Sequence, residues 1–189
     1  MCGFAGLRLG EAAGLQVADV DFLRRTLSVR HQLQGETSRT TELVAPKFGS
    51  ERVVYVPAEL VTLLSEHVRR TDGPGEWMFS RDGVPLNRNL AGHQWRQVRK
   101  EAGLDGYTLH DLRHFYASGL IASGCDVVTV QRALGHSSAT ITLGVYSHLW
   151  PTAEDRTRAA AGGLMTAALG ARADSVRTTG SSQAADLRL

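Results

Sequence analysis

The chain has 189 residues, 42% of them hydrophobic and 21% charged, with a formal net charge of +2. These values fit one soluble globular domain and are a weak electrostatic argument for a nucleic-acid partner. The two cysteines, Cys2 and Cys125, form no C-x-x-C pair, which argues against a disulfide scaffold or a zinc module and for a reducing cytoplasm. No apolar run reaches the roughly 18 residues of a membrane span, and no basic segment followed by an apolar core marks a signal peptide.

In chain order, residues 7–16 space Leu7, Ala12 and Leu15 as a helix would, although Gly10 and Gly14 weaken the pattern. Three strand-like runs follow, 26–34, 41–46 and 51–57, with Phe48-Gly49-Ser50 short enough to turn a hairpin between the second and third. A small three-stranded antiparallel sheet is the simplest result. Pro57 opens a helix whose apolar stripe is Leu60, Val61, Leu64 and Val68, and Asp72-Gly73-Pro74-Gly75 breaks it. Trp77-Met78-Phe79 reads as a short buried run before a turn at Arg81-Asp82-Gly83. Asn89 is a cap for a helix through Ala102, with Leu90, Trp95 and Val98 inward and Gly103 as its stop.

Thr108 and Asp111 form a capping-box pattern that starts a helix through Ser123. Asp126 caps a helix over 127–134 that Gly135 ends, and Ser137 or Ser138 caps another running towards Ser147. Residues 152–169 are Ala-rich and helical in character, interrupted at Gly162-Gly163. Residues 172–189 are polar, small and patternless, and read as a disordered tail.

Several of these segments carry reactive side chains. His110 and Arg113 stand at i and i+3 and so share a helix face. His136 follows the helix stop Gly135, and Tyr146 comes ten residues later; upstream are Arg8 and Lys47, the latter one of only two lysines beside Lys100. Arginine forks suit phosphate oxygens, histidine moves protons, tyrosine is a covalent nucleophile once deprotonated, and lysine can protonate a leaving oxygen. The set contains no paired carboxylates for Mg²⁺. The chemistry implied is metal-free, cofactor-free transfer of a phosphodiester through a phosphotyrosine.

Taken one at a time, each residue has a plainer reading. Arg8 is a surface arginine, Lys47 a solvated loop lysine, and His110 with Arg113 a surface pair. His136 satisfies helix carbonyls and Tyr146 is half-buried. His114 and His148 read as packing or supporting residues, and His31, His67 and His93 as solvent-facing. The HxxxH spacing of His110 and His114 encloses no glutamate and is not read as a metal motif.

It is the order that decides. GLRLGE, APKFGSERVV, HDLRH, LGHSSATIT and the tyrosine of VYSH resemble, one after another over residues 5–148, the successive motifs of the tyrosine recombinases, or phage-type integrases. The resemblance implies an α+β, mostly helical catalytic domain around a small three-stranded antiparallel sheet, over residues 1–171, with a C-terminal helix at about 152–169 and the tail 172–189. It implies that Tyr146 attacks DNA, that Lys47 acts as general acid on the 5′-oxygen, and that His110 assists proton transfer at Tyr146. Arg8, Arg113 and His136 would hold the phosphate, with Glu11 orienting Arg8. The implied partners are double-stranded DNA and further protomers, four on two DNA sites, joined through the C-terminal helix.

Phe48 departs from the small polar residue common in the lysine motif. Family members also carry a helical DNA-binding domain, and a further helix, before the GLR segment. This chain starts at Met1, just ahead of Gly6, so the expectation is an N-terminally truncated catalytic domain. An inactive remnant with at most weak DNA binding, and a type IB topoisomerase sharing the tyrosine chemistry, are the alternatives.

Overall fold

A computed structural model of the chain describes residues 1–35, 37, 39–70 and 76–183, the backbone alone being considered at 153 and 170–183. One compact unit spans Met1–Leu149 and a second begins at Trp150.

The helix expected over 7–16 is shorter in the structure, and another short helix precedes it. Helix α1 (Cys2–Ala5) and helix α2 (Leu9–Ala13) flank an extended Arg8, with φ −68° and ψ 154°. Gly6 makes the break, with φ 64° in the left-handed region. A Cβ there would lie 2.4 Å from Cδ1 of Tyr116. Beyond α2, a 3-10 turn over Val17–Asp19 leads into the sheets.

The strands are β1 (Val20–Asp21), β2 (Thr26–Val29), β3 (Gln32–Gln34), β4 (Glu42–Val44) and β5 (Arg52–Tyr55). A three-stranded antiparallel sheet does form, in the order β1-β2-β5, with Leu27 opposite Val54 and Val29 opposite Arg52. It is not assembled from the three expected runs. The run 26–34 is cut in two, and its second half, β3, pairs with β4 in a separate hairpin. The cut falls where Arg30 leaves the sheet to reach the buried carboxylate of Asp19, its Nε at 3.0 Å from Oδ1. Lys47–Gly49 is consequently a 3-10 turn that links strands of different sheets.

Helix α3 (Ala58–Arg70) follows Pro57 and buries Leu60 and Leu64, with Val61 and Val68 packed at the edge of the same core. The expected breaker 72–75 lies outside the described residues. Met78 is buried and donates its backbone N–H to Leu15 at 2.8 Å. His67, expected in solvent, is half-buried instead, with Nε2 at 2.9 Å from the Met78 carbonyl. His31 is half-buried as well.

Strands β6 (Ser80–Arg81) and β7 (Val84–Pro85) enclose the Asp82-Gly83 turn. Helix α4 (Arg88–Glu101) is capped by Asn87, whose Oδ1 accepts from Leu90 N–H at 3.0 Å; Asn89 does not take that role. None of its residues is buried; of the expected inward stripe, Trp95 and Val98 border an open apolar groove of about 430 Å³ shared with α1 and α5, and Leu90 does not line it.

Helix α5 (Leu109–Ala122) starts on the reciprocal Thr108–Asp111 bonds. Helix α6 (Val127–Leu134) has Asp126 as cap and ends at Gly135 in the left-handed conformation, φ 63°. Helix α7 (Ala139–Tyr146) follows Ser138 and runs into a 3-10 turn over Ser147–Leu149. In the second unit, helix α8 (Ala153–Gln183) runs through Gly162-Gly163 and past 169 without a break. Two helical glycines cost about 1 kcal/mol each, and here they do not stop the helix.

The core of the first unit gathers Leu7, Leu15, Leu27, Val54, Leu60 and Met78. Replacing Gly6 by alanine is expected to lower stability by about 2 kcal/mol or more, from left-handed strain plus the clash with Tyr116. Urea unfolding checks this, with the midpoint falling and the slope unchanged.

Candidate active site

The last carbonyls of a helix have no partner within it, and they carry the negative end of its dipole. At the end of α6 three consecutive carbonyls are taken by three arginines from distant parts of the chain. Arg52 Nε donates to Ala133 O at 3.1 Å. Arg113 Nη2 donates to Leu134 O. Arg8 Nη2 donates to Gly135 O at 3.3 Å. Arg113 also donates through Nη1 to the carbonyl of Gly6, at the break between α1 and α2. Each of its terminal nitrogens retains a second N–H.

A single carboxylate stands among these cations. Glu11 is 1% exposed. Its Oε1 accepts from Arg8 Nη1 at 2.7 Å, and its Oε2 accepts from Arg52 Nη2 at 2.9 Å. Burial pushes the Glu11 carboxyl up, but the bonds from Arg52 and Arg8 outweigh it and hold it below the usual carboxylate range. Ser50 joins the two arginines: its hydroxyl accepts from Arg8 at 3.2 Å, and its carbonyl accepts from Arg52 at 3.2 Å. The glycine of LGH also has a packing role, since a Cβ on Gly135 would lie 2.7 Å from Arg52 Nη1.

Arg113 is 2% exposed, and its guanidinium is lowered to about 10 by burial and then by the nearby Arg8. Three guanidiniums against one carboxylate leave positive charge in a confined place. An anion with several oxygens is the natural complement.

Helix α7 presents one buried face to this cluster. Thr142 and Tyr146, at i and i+4, are its only buried residues. Each meets a histidine. His136 Nδ1 lies 3.0 Å from Thr142 Oγ1, and His114 Nδ1 lies 2.6 Å from the Tyr146 hydroxyl. Burial, then Arg113, Arg8 and Arg52, push His136 down to about 4. It is therefore uncharged near neutral pH. When Thr142 donates its hydroxyl to Nδ1, the ring's one proton sits on Nε2 and is available to an acceptor. Burial raises the Tyr146 phenol, and the Arg113 charge partly opposes that rise.

His110 is exposed and lines a cleft of about 760 Å³ together with Arg8, Lys47 and Arg88. Burial, then His114 and Arg113, hold it below the usual histidine range. Lys47 is exposed in its 3-10 turn, next to Phe48 at φ 62° with 81% of its surface exposed.

The structure thus brings Arg8, Glu11 and Arg113 into one network, with His136 and Tyr146 on its α7 side. Lys47 and His110 join Arg8 at the cleft, whose lining does not include Arg113, His136 or Tyr146. His148 is exposed in the turn after α7. Sequence reasoning missed Arg52, Ser50 and Thr142, and left His114 without a partner. Arg52 and Ser50 lie inside APKFGSERVV, and Thr142 stands one helical turn before Tyr146, so position was the available signal.

Removing the Glu11 carboxylate leaves Arg52 buried without its counter-charge. Glu11→Ala is expected to cost about 3–5 kcal/mol in urea unfolding. His136 is expected to titrate near 4 in a ¹³C or ¹⁵N NMR series, well below 6.5. The sign follows from that depression: its contribution to stability is fully present above pH 6.5 and is lost as pH falls towards 4.

Residues 2–152 match the phage integrase family. A XerC-like tyrosine recombinase from Caldanaerobacter subterraneus subsp. tengcongensis is 28% identical over 169 residues, covering 77% of this chain and 43% of that protein. Tyrosine recombinase XerD of Mycobacterium leprae is 32% identical over 165 residues, covering 81% of this chain and 50% of its own length. Among solved structures, the Tn1549 transposon integrase in complex with transposon right end DNA superposes with a TM-score of 0.72 at 25% identity, over 86% of this chain and 56% of that one. The chain spans about half the length of the curated relatives it matches. With the family match extending from α1 to the turn after α7, this chain belongs to the phage integrase family of tyrosine recombinases.

Proposed function

We propose that this chain is the strand-transfer domain of a site-specific DNA recombinase. The observation that carries the reading is the surplus of guanidinium charge gathered around Glu11 beside a buried tyrosine hydroxyl. A phosphodiester in that place would have its non-bridging oxygens held by Arg8 and Arg113, with the His136 N–H as a neutral donor. Charge that develops on those oxygens in the transition state would meet donors already fixed by carbonyls and by Glu11. Tyr146 would attack phosphorus and form a 3′-phosphotyrosyl bond, and Lys47 would protonate the departing 5′-oxygen. A 5′-hydroxyl from another strand reverses the step, so the bond energy is conserved and neither metal nor ATP is called for.

Double-stranded DNA is the proposed partner; the Tn1549 integrase to which the chain is similar is itself seen with DNA. Further protomers are proposed too, four on two sites, with α8 as the joining helix. The place of action is the cytoplasm; among the described residues no helix is long and apolar enough to cross a membrane. The intact arginine network favours a working site over a decayed remnant. The catalytic domain is proposed to span residues 1–171.

The test is covalent trapping. Nicked duplexes that lose a short strand after cleavage, supplied as a randomised pool, are expected to yield a denaturant-stable protein–DNA adduct. Tyr146→Phe should abolish it while DNA retention on a native gel is unchanged. Retention without any adduct would reduce the chain to a binding domain.

A further inference from the structure

The histidine that touches the nucleophile differs from the one to which the motif resemblance gives that task. We propose that His114 accepts the phenolic proton of Tyr146 as the DNA strand is cut. This rests on the reading that Tyr146 is the nucleophile.

The contact is tertiary: His114 lies on α5 and Tyr146 on α7, and Nδ1 stands 2.6 Å from the hydroxyl oxygen. Both helices are held in rotation by independent bonds. On α5, the neighbouring Arg113 is tied to the carbonyls of Gly6 and Leu134. On α7, Thr142 is tied to His136 one turn before the tyrosine. Tyr146 is 5% exposed, so bulk water has little access to its hydroxyl. His110, one turn earlier on α5, lines the cleft with Arg8 and Lys47, and its ring stands perpendicular to His114 at 4.8 Å. Among the described residues no hydrogen bond joins His110 to Tyr146. The HDLRH segment therefore divides its two histidines between the phosphate side and the tyrosine side of one helix face.

In the step itself, the Tyr146 O–H bond breaks and its proton passes to Nδ1 of His114. The freed oxygen pair forms the new bond to phosphorus. The bond from phosphorus to the 5′-oxygen breaks, and that oxygen takes a proton from Lys47. His114 must enter with its own proton on Nε2, and it leaves as the imidazolium. The reverse step returns the proton to the phenol.

The tautomer can be read without DNA. Long-range ¹⁵N NMR on the free protein is expected to show Nε2 protonated and Nδ1 as an acceptor whose resonance moves in Tyr146→Phe. A proton on Nδ1 overturns the proposal. With the randomised nicked duplexes, His114→Ala should slow adduct formation about 100-fold or more, with DNA retention unchanged. Installing 3-fluorotyrosine at position 146, a more acidic phenol, should recover about tenfold or more in His114→Ala. That rescue separates a lost proton acceptor from a folding defect, which an altered phenol would not repair. Wild-type rates in His114→Ala, or no gain from the fluorinated residue, overturn this step alone. An inactive wild-type chain overturns the strand-transfer reading and this step with it.

Discussion

The carbonyl end of α6 is the constraint on which the site depends. Eight residues of helix and one left-handed glycine expose a row of acceptors, and arginines from the α1–α2 break, from β5 and from α5 converge on it. Guanidiniums repel one another. Glu11 and the helix dipole make their approach tolerable, yet do not neutralise them. The remaining charge is held in a fixed shape, which is what a preorganised oxyanion site requires. Gly135 serves twice, by closing the helix and by leaving room for Arg52.

The α7 helix adds chemistry to that charge. Its inner face is short and carries two hydroxyls, each facing a different histidine. One histidine lies close to three guanidiniums and is kept neutral by burial and by their charge. The other lies against the tyrosine. Both rings are half-buried.

What was legible in the chain was what is local. Thr108, Asp126 and Gly135 mark their helix ends through bonds spanning a few residues, and the Leu60–Leu64 stripe identifies α3. Arg8, Lys47, His110, Arg113, His136 and Tyr146 could be singled out because ordered motifs carry them. The sheet was less legible. The run 26–34 divides at Arg30, which bonds Asp19 eleven positions away, and the cap of α4 is Asn87, just after the β6–β7 hairpin, and not Asn89. Arg52 and Thr142 escaped notice because their partners, Glu11 and His136, are assigned by tertiary packing. His114 escaped for the same reason, its partner Tyr146 lying 32 positions away.

The bond between Arg8 and Gly135 spans 127 positions, and it bears on when the site comes into being. A ribosome delivers Arg8 first, Arg52 and Arg113 later, then the end of α6, and Tyr146 last. Until residue 135 has been added, the arginines have no row of carbonyls on which to gather. No nascent chain short of that point holds the assembled arginine network, and the tyrosine joins only after it. The order of translation thus withholds the assembled network until almost the whole first unit has been made.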